Sequence, residues 1–169
     1  MAETLVSILI VGGLVVAAMN TAGAAMMGHK KIGDRGRGTL LAQDLLGEIL
    51  LQAYEEPVDT PTFGRESSES GGDRKDYDDV DDYDGWIASP PQLKDGTVLS
   101  DLADWKRSVS VVWVSATALS SVSGTETGVK RITVTVLRNG LTVAKLVAIR
   151  AGTPPERVLD PRKLYISEV

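Results

Sequence analysis

Cysteine is absent from this chain and histidine occurs once, as His29. Without thiols there is no disulfide to close and no thiolate metal centre to build, whatever the redox compartment. With a single imidazole, directly behind an apolar run, neither a Ser–His–Asp triad nor a His-ligated metal in a folded domain has material. Carboxylates remain, but a carboxylate hydrolase needs two acids facing one cleft with one of them strongly perturbed, and the sequence places no such pair. The chain is therefore expected not to be an enzyme. Basic charge is also short: 18 Lys and Arg stand against 23 Asp and Glu, a net charge of −5. The bases gather behind the apolar run and offer no basic face, so nucleic acid is not an expected partner. The fold has to rest on its core, or on ions bound through oxygen.

What the chain has in abundance is an uninterrupted apolar stretch, Leu5 to Met27, LVSILIVGGLVVAAMNTAGAAMM. At about 1.5 Å per residue a helix over it would be about 35 Å long, enough to cross a hydrocarbon core of about 30 Å. Leu, Val, Ile and Ala occupy every angular position, and only Ser7, Asn20 and Thr21 interrupt them, so this is no soluble helix with one apolar stripe. Residues 1–28 read as a single membrane anchor in contact with lipid. The nearest bases, His29, Lys30, Lys31, Arg35 and Arg37, all lie on its C-terminal side. By charge bias alone that side would face the cytoplasm. Glu3, at the entrance of the run, has two physical readings: a carboxylate favoured by the helix N-terminus, or an intramembrane acid awaiting a cation.

ETLVSILIVGGLVVAAMNTAGAA, an acid followed by a long hydrophobic helix that continues as a partly amphipathic one, resembles the N-terminal segment of type IV pilins and type II secretion pseudopilins. In that family a short basic leader ending in Gly is cut, the new apolar N-terminus is methylated, and a Glu stands at the fifth mature position. The resemblance makes Glu3 that Glu, with the mature start two residues ahead of Met1. It implies that Glu3 neutralises the N-terminal amine of a neighbouring subunit during assembly. The implied setting is the inner membrane, single-pass, with the outer domain periplasmic and a basic leader to set that orientation. Implied partners are other pilin or pseudopilin subunits, the inner-membrane assembly machinery and the leader peptidase.

Gly12, Gly13, Gly23, Gly28, Gly33, Gly36 and Gly38 are many glycines for a helix, at about 1 kcal/mol each relative to Ala. The GDRGRG run fits neither phosphate-binding spacing and follows no strand. A segment that bends or unwinds, and packs closely through small residues, is the expectation. From Thr39, Leu41, Leu45 and Ile49 recur at four-residue spacing beside Leu46, Leu50 and Ala53, while Gln43, Asp44, Glu48 and Gln52 point elsewhere. Residues 29–56 are thus an amphipathic continuation, with Pro57 as its stop.

Residues 57–150 form the expected outer domain. Its acidic stretch, 66–84, reads as a loop and carries Asp78, Asp79, Asp81, Asp82 and Asp84. A solvated acidic loop is the plain expectation. The sharper one is a calcium site on those five aspartates, since a hard cation takes six to eight oxygens, although the EF-hand spacing is absent. Some pseudopilins bind calcium in such loops, so the resemblance keeps that reading open. DVDDYDGWIASPP looks like a stretch that recurs in minor pilin-like proteins; Trp86 there is a core plug or a recognition residue. KDGT, at 94–97, carries a tight-turn signal.

Alternation predicts strands at 108–114, 130–137 and 141–149, the last two joined by the Asn139–Gly140 turn. ATALSSVSGTETG, between the first two, reads as a polar, mobile link, and 151–169 as a loosely attached tail. The fold class expected is α+β: a long N-terminal helix packed on a small antiparallel sheet, pilin-like. The function this implies is a structural minor pilin or pseudopilin subunit of a type IV pilus or type II secretion pseudopilus. The alternative is a single-pass membrane-anchored binding protein with a calcium-stabilised acidic loop.

Overall fold

The computed structural model describes residues 2–56, 62–66, 69 and 73–152. Pro57, and the expected tail beyond Gly152, lie outside the described residues.

The helix α1, Ala2–Leu50, runs 49 residues without a break, roughly 70 Å at about 1.5 Å per residue. The glycines expected to bend or unwind it leave it helical throughout. At Gly12, Gly13, Gly23, Gly28, Gly33 and Gly36 an added Cβ would meet nothing within 4 Å. At Gly38 it would lie 2.7 Å from Val143 Cγ2, because the sheet comes up against the helix there. The helix stops at Leu50, ahead of residue 56 where periodicity placed its end. The Leu51 and Gln52 amides turn back to the carbonyls of Glu48 and Ile49, at 3.3 and 3.1 Å. Ala53 then leaves the helix to exchange backbone bonds with the acidic stretch: its amide donates to the Asp78 carbonyl at 3.0 Å, and its carbonyl accepts from Val80 at 3.1 Å.

The sheet is antiparallel. It comprises β1 (Ile87–Ala88), β2 (Trp105–Ser115), β3 (Ala118–Val122), β4 (Val129–Arg138) and β5 (Leu141–Ala151), in spatial order β1-β2-β4-β5 with β3 on β2. β2 meets β4 from Trp105↔Arg138 to Trp113↔Lys130, and β4 meets β5 through the Asn139–Gly140 hairpin, whose residues have φ of 49° and 76°. Both φ values are positive, as a two-residue turn of the right twist requires. β3 occupies the link expected to be mobile: Val122 pairs with Val114 and Ala118 with Ser115 across an irregularity in register.

One face of the sheet is dry. Val109 and Val111 of β2 and Ile132, Val134 and Val136 of β4 point the same way and are buried against Ala42, Leu45 and Ile49 of α1. Each fully buried Leu or Ile contributes about 1.5–3 kcal/mol relative to exposure, which makes this face the main attachment of helix to sheet. Trp86, Trp105, Tyr77, Tyr83 and Val80 close the core on the side of the acidic stretch, so Trp86 is a core residue.

Charged pairs fix the helix along the same length. Asp34 pairs with Arg138, Arg37 with Asp101 at 2.7 Å, Asp44 with Arg107 at 3.2 Å and Glu48 with Arg74 at 2.8 Å. The Arg37 pair is exposed and contributes little. Arg74 and Arg107 are buried, and the Arg74 guanidinium also lies 4.1 Å from the Trp86 ring centroid. Glu48 therefore faces the domain, joined by Arg74 and by the Tyr83 hydroxyl at 2.9 Å. Its carboxyl sits below the usual range: burial works against this, but Arg74 and Tyr83 outweigh it.

Candidate assembly helix and acidic cluster

Two regions carry chemistry that the core does not absorb. The first is the N-terminal half of α1. It is long and apolar enough to cross a membrane, and none of its apolar window is buried among the described residues. Leu5, Ile8, Leu9, Leu14, Met19 and Met26 are all more than half exposed. The hydroxyls within it are spent internally: Ser7 Oγ donates to the Glu3 carbonyl and Thr21 Oγ1 to the Ala17 carbonyl, each at 2.9 Å. Such back-bonding lets a polar side chain sit in hydrocarbon without an open donor. Glu3 stands in the first turn, the one acid ahead of Asp34 on the helix. It is at the end where the unpaired amides favour a negative charge.

The second region is the acidic stretch, and the aspartates at its C-terminal end are not all solvated. Asp79, Asp81 and Asp82 are at most 2% exposed. Each buried aspartate has backbone or ionic work. Asp79 Oδ1 accepts the amides of Asp81 and Asp82 at 2.7 and 3.3 Å, and Asp82 Oδ2 those of Asp78 and Asp79 at 3.1 and 2.9 Å. These short-range bonds wind the chain into the 3₁₀ turn Asp81–Tyr83. Asp81 pairs with the buried ammonium of Lys130 and accepts the Gly64 amide at 3.0 Å. Asp84 Oδ1 takes the Val111 amide at 2.8 Å, joining the turn to β2. Asp78 is exposed.

The five aspartates thus do not converge on one point. The group that does converge is Glu66, Glu69 and Asp82, one oxygen from each lying within 4.8 Å of the others. The two glutamates were not singled out from sequence; their only signal is three-residue spacing at the head of the acidic run. Glu69 is 5% exposed. Its carboxyl is pushed up to about 8 by burial, then by the neighbouring Asp82 and Glu66. Burial also raises Asp82, against the amides that favour its charge. Glu66 sits below the ordinary value, because contacts from Glu69 and Thr62 outweigh its burial. The oxygen-only donor set suits a hard cation and not a metal that prefers imidazole or thiolate.

Beside this cluster is a cavity of about 180 Å³ lined by Glu55, Asp79, Asp81, Trp113, Glu126 and Lys130 among others. Asp79 is pushed up to about 8, by burial first and then by Asp81 and Asp82. This is the perturbed acid a carboxylate hydrolase would need. Its Oδ1 already holds two amides, and the Asp81 beside it is neutralised by Lys130, so the pair is committed to holding the turn.

Set against protein-family models, curated proteins and solved structures, the chain gives no match.

Proposed function

We propose that the chain is a structural subunit of the minor pilin or pseudopilin kind, stored in the inner membrane by the N-terminal half of α1 and assembled into a filament through it. The observation that carries this reading is the division of one unbroken helix: an uncovered apolar half behind an acid at Glu3, and a second half packed on the sheet. A binding module that needed only an anchor would not need the two halves to be one rigid rod.

The physics of assembly follows from that division. Passing from lipid to a bundle of like helices yields little hydrophobic gain, since lipid tails are as apolar as Leu. Close approach has to come from small residues, and Gly12, Gly13, Ala17, Ala18, Gly23, Ala24 and Ala25 supply them. Register has to come from a group whose burial is costly unless matched. Glu3 is such a group, and the N-terminal amine of a neighbouring subunit is the partner that would neutralise it. The outer domain then faces other subunits or cargo from a fixed orientation, and no bond is made or broken.

Replacing Glu3 by Ala tests this. The variant should reach the membrane at the normal level, while its amount in the isolated filament fraction falls at least about tenfold, the equivalent of about 1.4 kcal/mol. Undiminished incorporation would remove the central residue of the mechanism and favour the anchored binding protein.

A further inference from the structure

We infer that Lys30, Lys31 and Arg35 form a collar for the phosphates of anionic phospholipids, at the point where α1 passes from its apolar half to the folded domain. This rests on the apolar half lying in a bilayer and not on assembly into a filament.

The apolar run ends at Met27, and no Asp, Glu, Lys or Arg stands between Glu3 and Lys30. At about 1.5 Å per residue, Lys30 and Lys31 lie about 4.5–6 Å beyond Met27 along the helix axis, and Arg35 about 12 Å. A bilayer of about 40–45 Å around a hydrocarbon core of about 30 Å leaves about 5–8 Å of headgroup layer on each side. The two lysines therefore stand within that layer. Helical side chains lean toward the N-terminus, which here is toward the bilayer, so the long stem of Arg35 carries its guanidinium back to the same layer.

All three side chains are exposed and, among the described residues, make no ion pair or hydrogen bond. Asp34 has the four-residue spacing to serve Lys30, but it is turned to Arg138 in the domain. The other acids at this end are taken as well, Asp101 by Arg37 and Asp104 by Arg138. Lys31 and Arg35 stand four residues apart on one row of the helix, an unfavourable like-charge pair unless an anion lies between them. The same row continues through Gly38, Ala42, Leu45 and Ile49 at spacings of three and four, and those four residues are buried against the domain. The two bases thus hold the part of the row left open between the sheet and the apolar run. On a chain of net charge −5 this is a local excess of positive charge, set where a phosphate-bearing surface would meet it.

The test uses the full chain in phosphatidylcholine bilayers that carry a trace of spin-labelled phosphatidylglycerol or spin-labelled phosphatidylcholine. Electron spin resonance reads the fraction of each label held against the protein. The phosphatidylglycerol label should associate at least about threefold more strongly than the phosphatidylcholine label. That ratio should fall to about one in the variant combining Lys30→Gln, Lys31→Gln and Arg35→Gln, and for the unaltered chain in about 1 M salt, where screening shortens to about 3 Å. The three positions are exposed, so the variant should unfold at the temperature of the unaltered chain. Lys75→Gln, exposed in the acidic stretch, should leave the ratio intact. No selectivity in the inserted unaltered chain, or selectivity undiminished in the triple variant, would overturn the collar. Loss of selectivity on adding inorganic phosphate at constant ionic strength would assign the bases to a free anion and overturn the lipid. Failure to float with neutral vesicles would overturn the anchor itself, and the collar with it.

Discussion

Lys130 enters the interior from β4 with its ammonium paired to Asp81, bonded to the Tyr54 carbonyl and 4.3 Å from the centroid of the Tyr54 ring. Both side chains of the pair are at most 3% exposed. Lys130→Ala should therefore cost about 3–5 kcal/mol in urea unfolding followed by tryptophan fluorescence, because Asp81 is left buried without a counter-charge. Lys130→Met together with Asp81→Asn should recover most of that loss, since the uncompensated charge is then gone. A pH dependence follows from the acids around them. Glu69 and Asp79 are both pushed up to about 8, so between about pH 4 and about pH 8 the folded chain holds protons that the unfolded chain releases. Their contribution favours the fold at the acid end of that window and is lost as pH rises through it. In chelating buffer the unfolding temperature should fall from pH 5 to pH 8, with a shallower fall for Glu69→Gln; a rise over the same range would contradict these assignments. None of this was legible in the sequence. Asp81 and Lys130 stand far apart in the chain, and a run of aspartates looks solvated until local amides and one distant lysine are seen to neutralise it.

Along the helix, the informative contrast is between two glycines of one stretch. Gly38 faces Val143 so closely that a Cβ would overlap it, whereas Gly36 faces open space. Gly38→Ala should lose about 1 kcal/mol net, an overpacking cost of about 1–3 kcal/mol offset in part by better helix propensity. Gly36→Ala should gain up to about 1 kcal/mol. If both substitutions stabilise equally in urea unfolding, the helix does not lie against β5 as described. The helix and the hairpin were readable because their signals are local: Leu41, Leu45 and Ile49 at helical spacing, alternation across 130–137, and Asn-Gly between two strands. β1 and β3 were not. Ile87–Ala88 is too short to show a period, and Ala118–Val122 is exposed along its whole length, so no alternation of apolar and polar residues records its pairing with β2. The end of α1 was misplaced for a related reason: the bridge that draws Ala53 away pairs it with Asp79, across the masking polarity of the acidic stretch.

The molecule as a whole is one continuous helix with two different faces to satisfy, a packed half and an exposed apolar half. Its second half is committed to the folded domain by a dry face and by buried arginines; its first half is covered by none of the described residues. In the proposed stored state, lipid covers that half. In the proposed working state, like helices of other subunits replace the lipid. The most direct measurement is photo-crosslinking from the middle of the exposed half, with a photoreactive amino acid in place of Val16, in cells that contain the native assembly. Assembly through this half predicts covalent adducts to the apolar N-terminal helices of other subunits, identified by mass spectrometry and lost when Glu3 is replaced by Ala. Adducts to lipid alone, from protein present in its working complex, would contradict it.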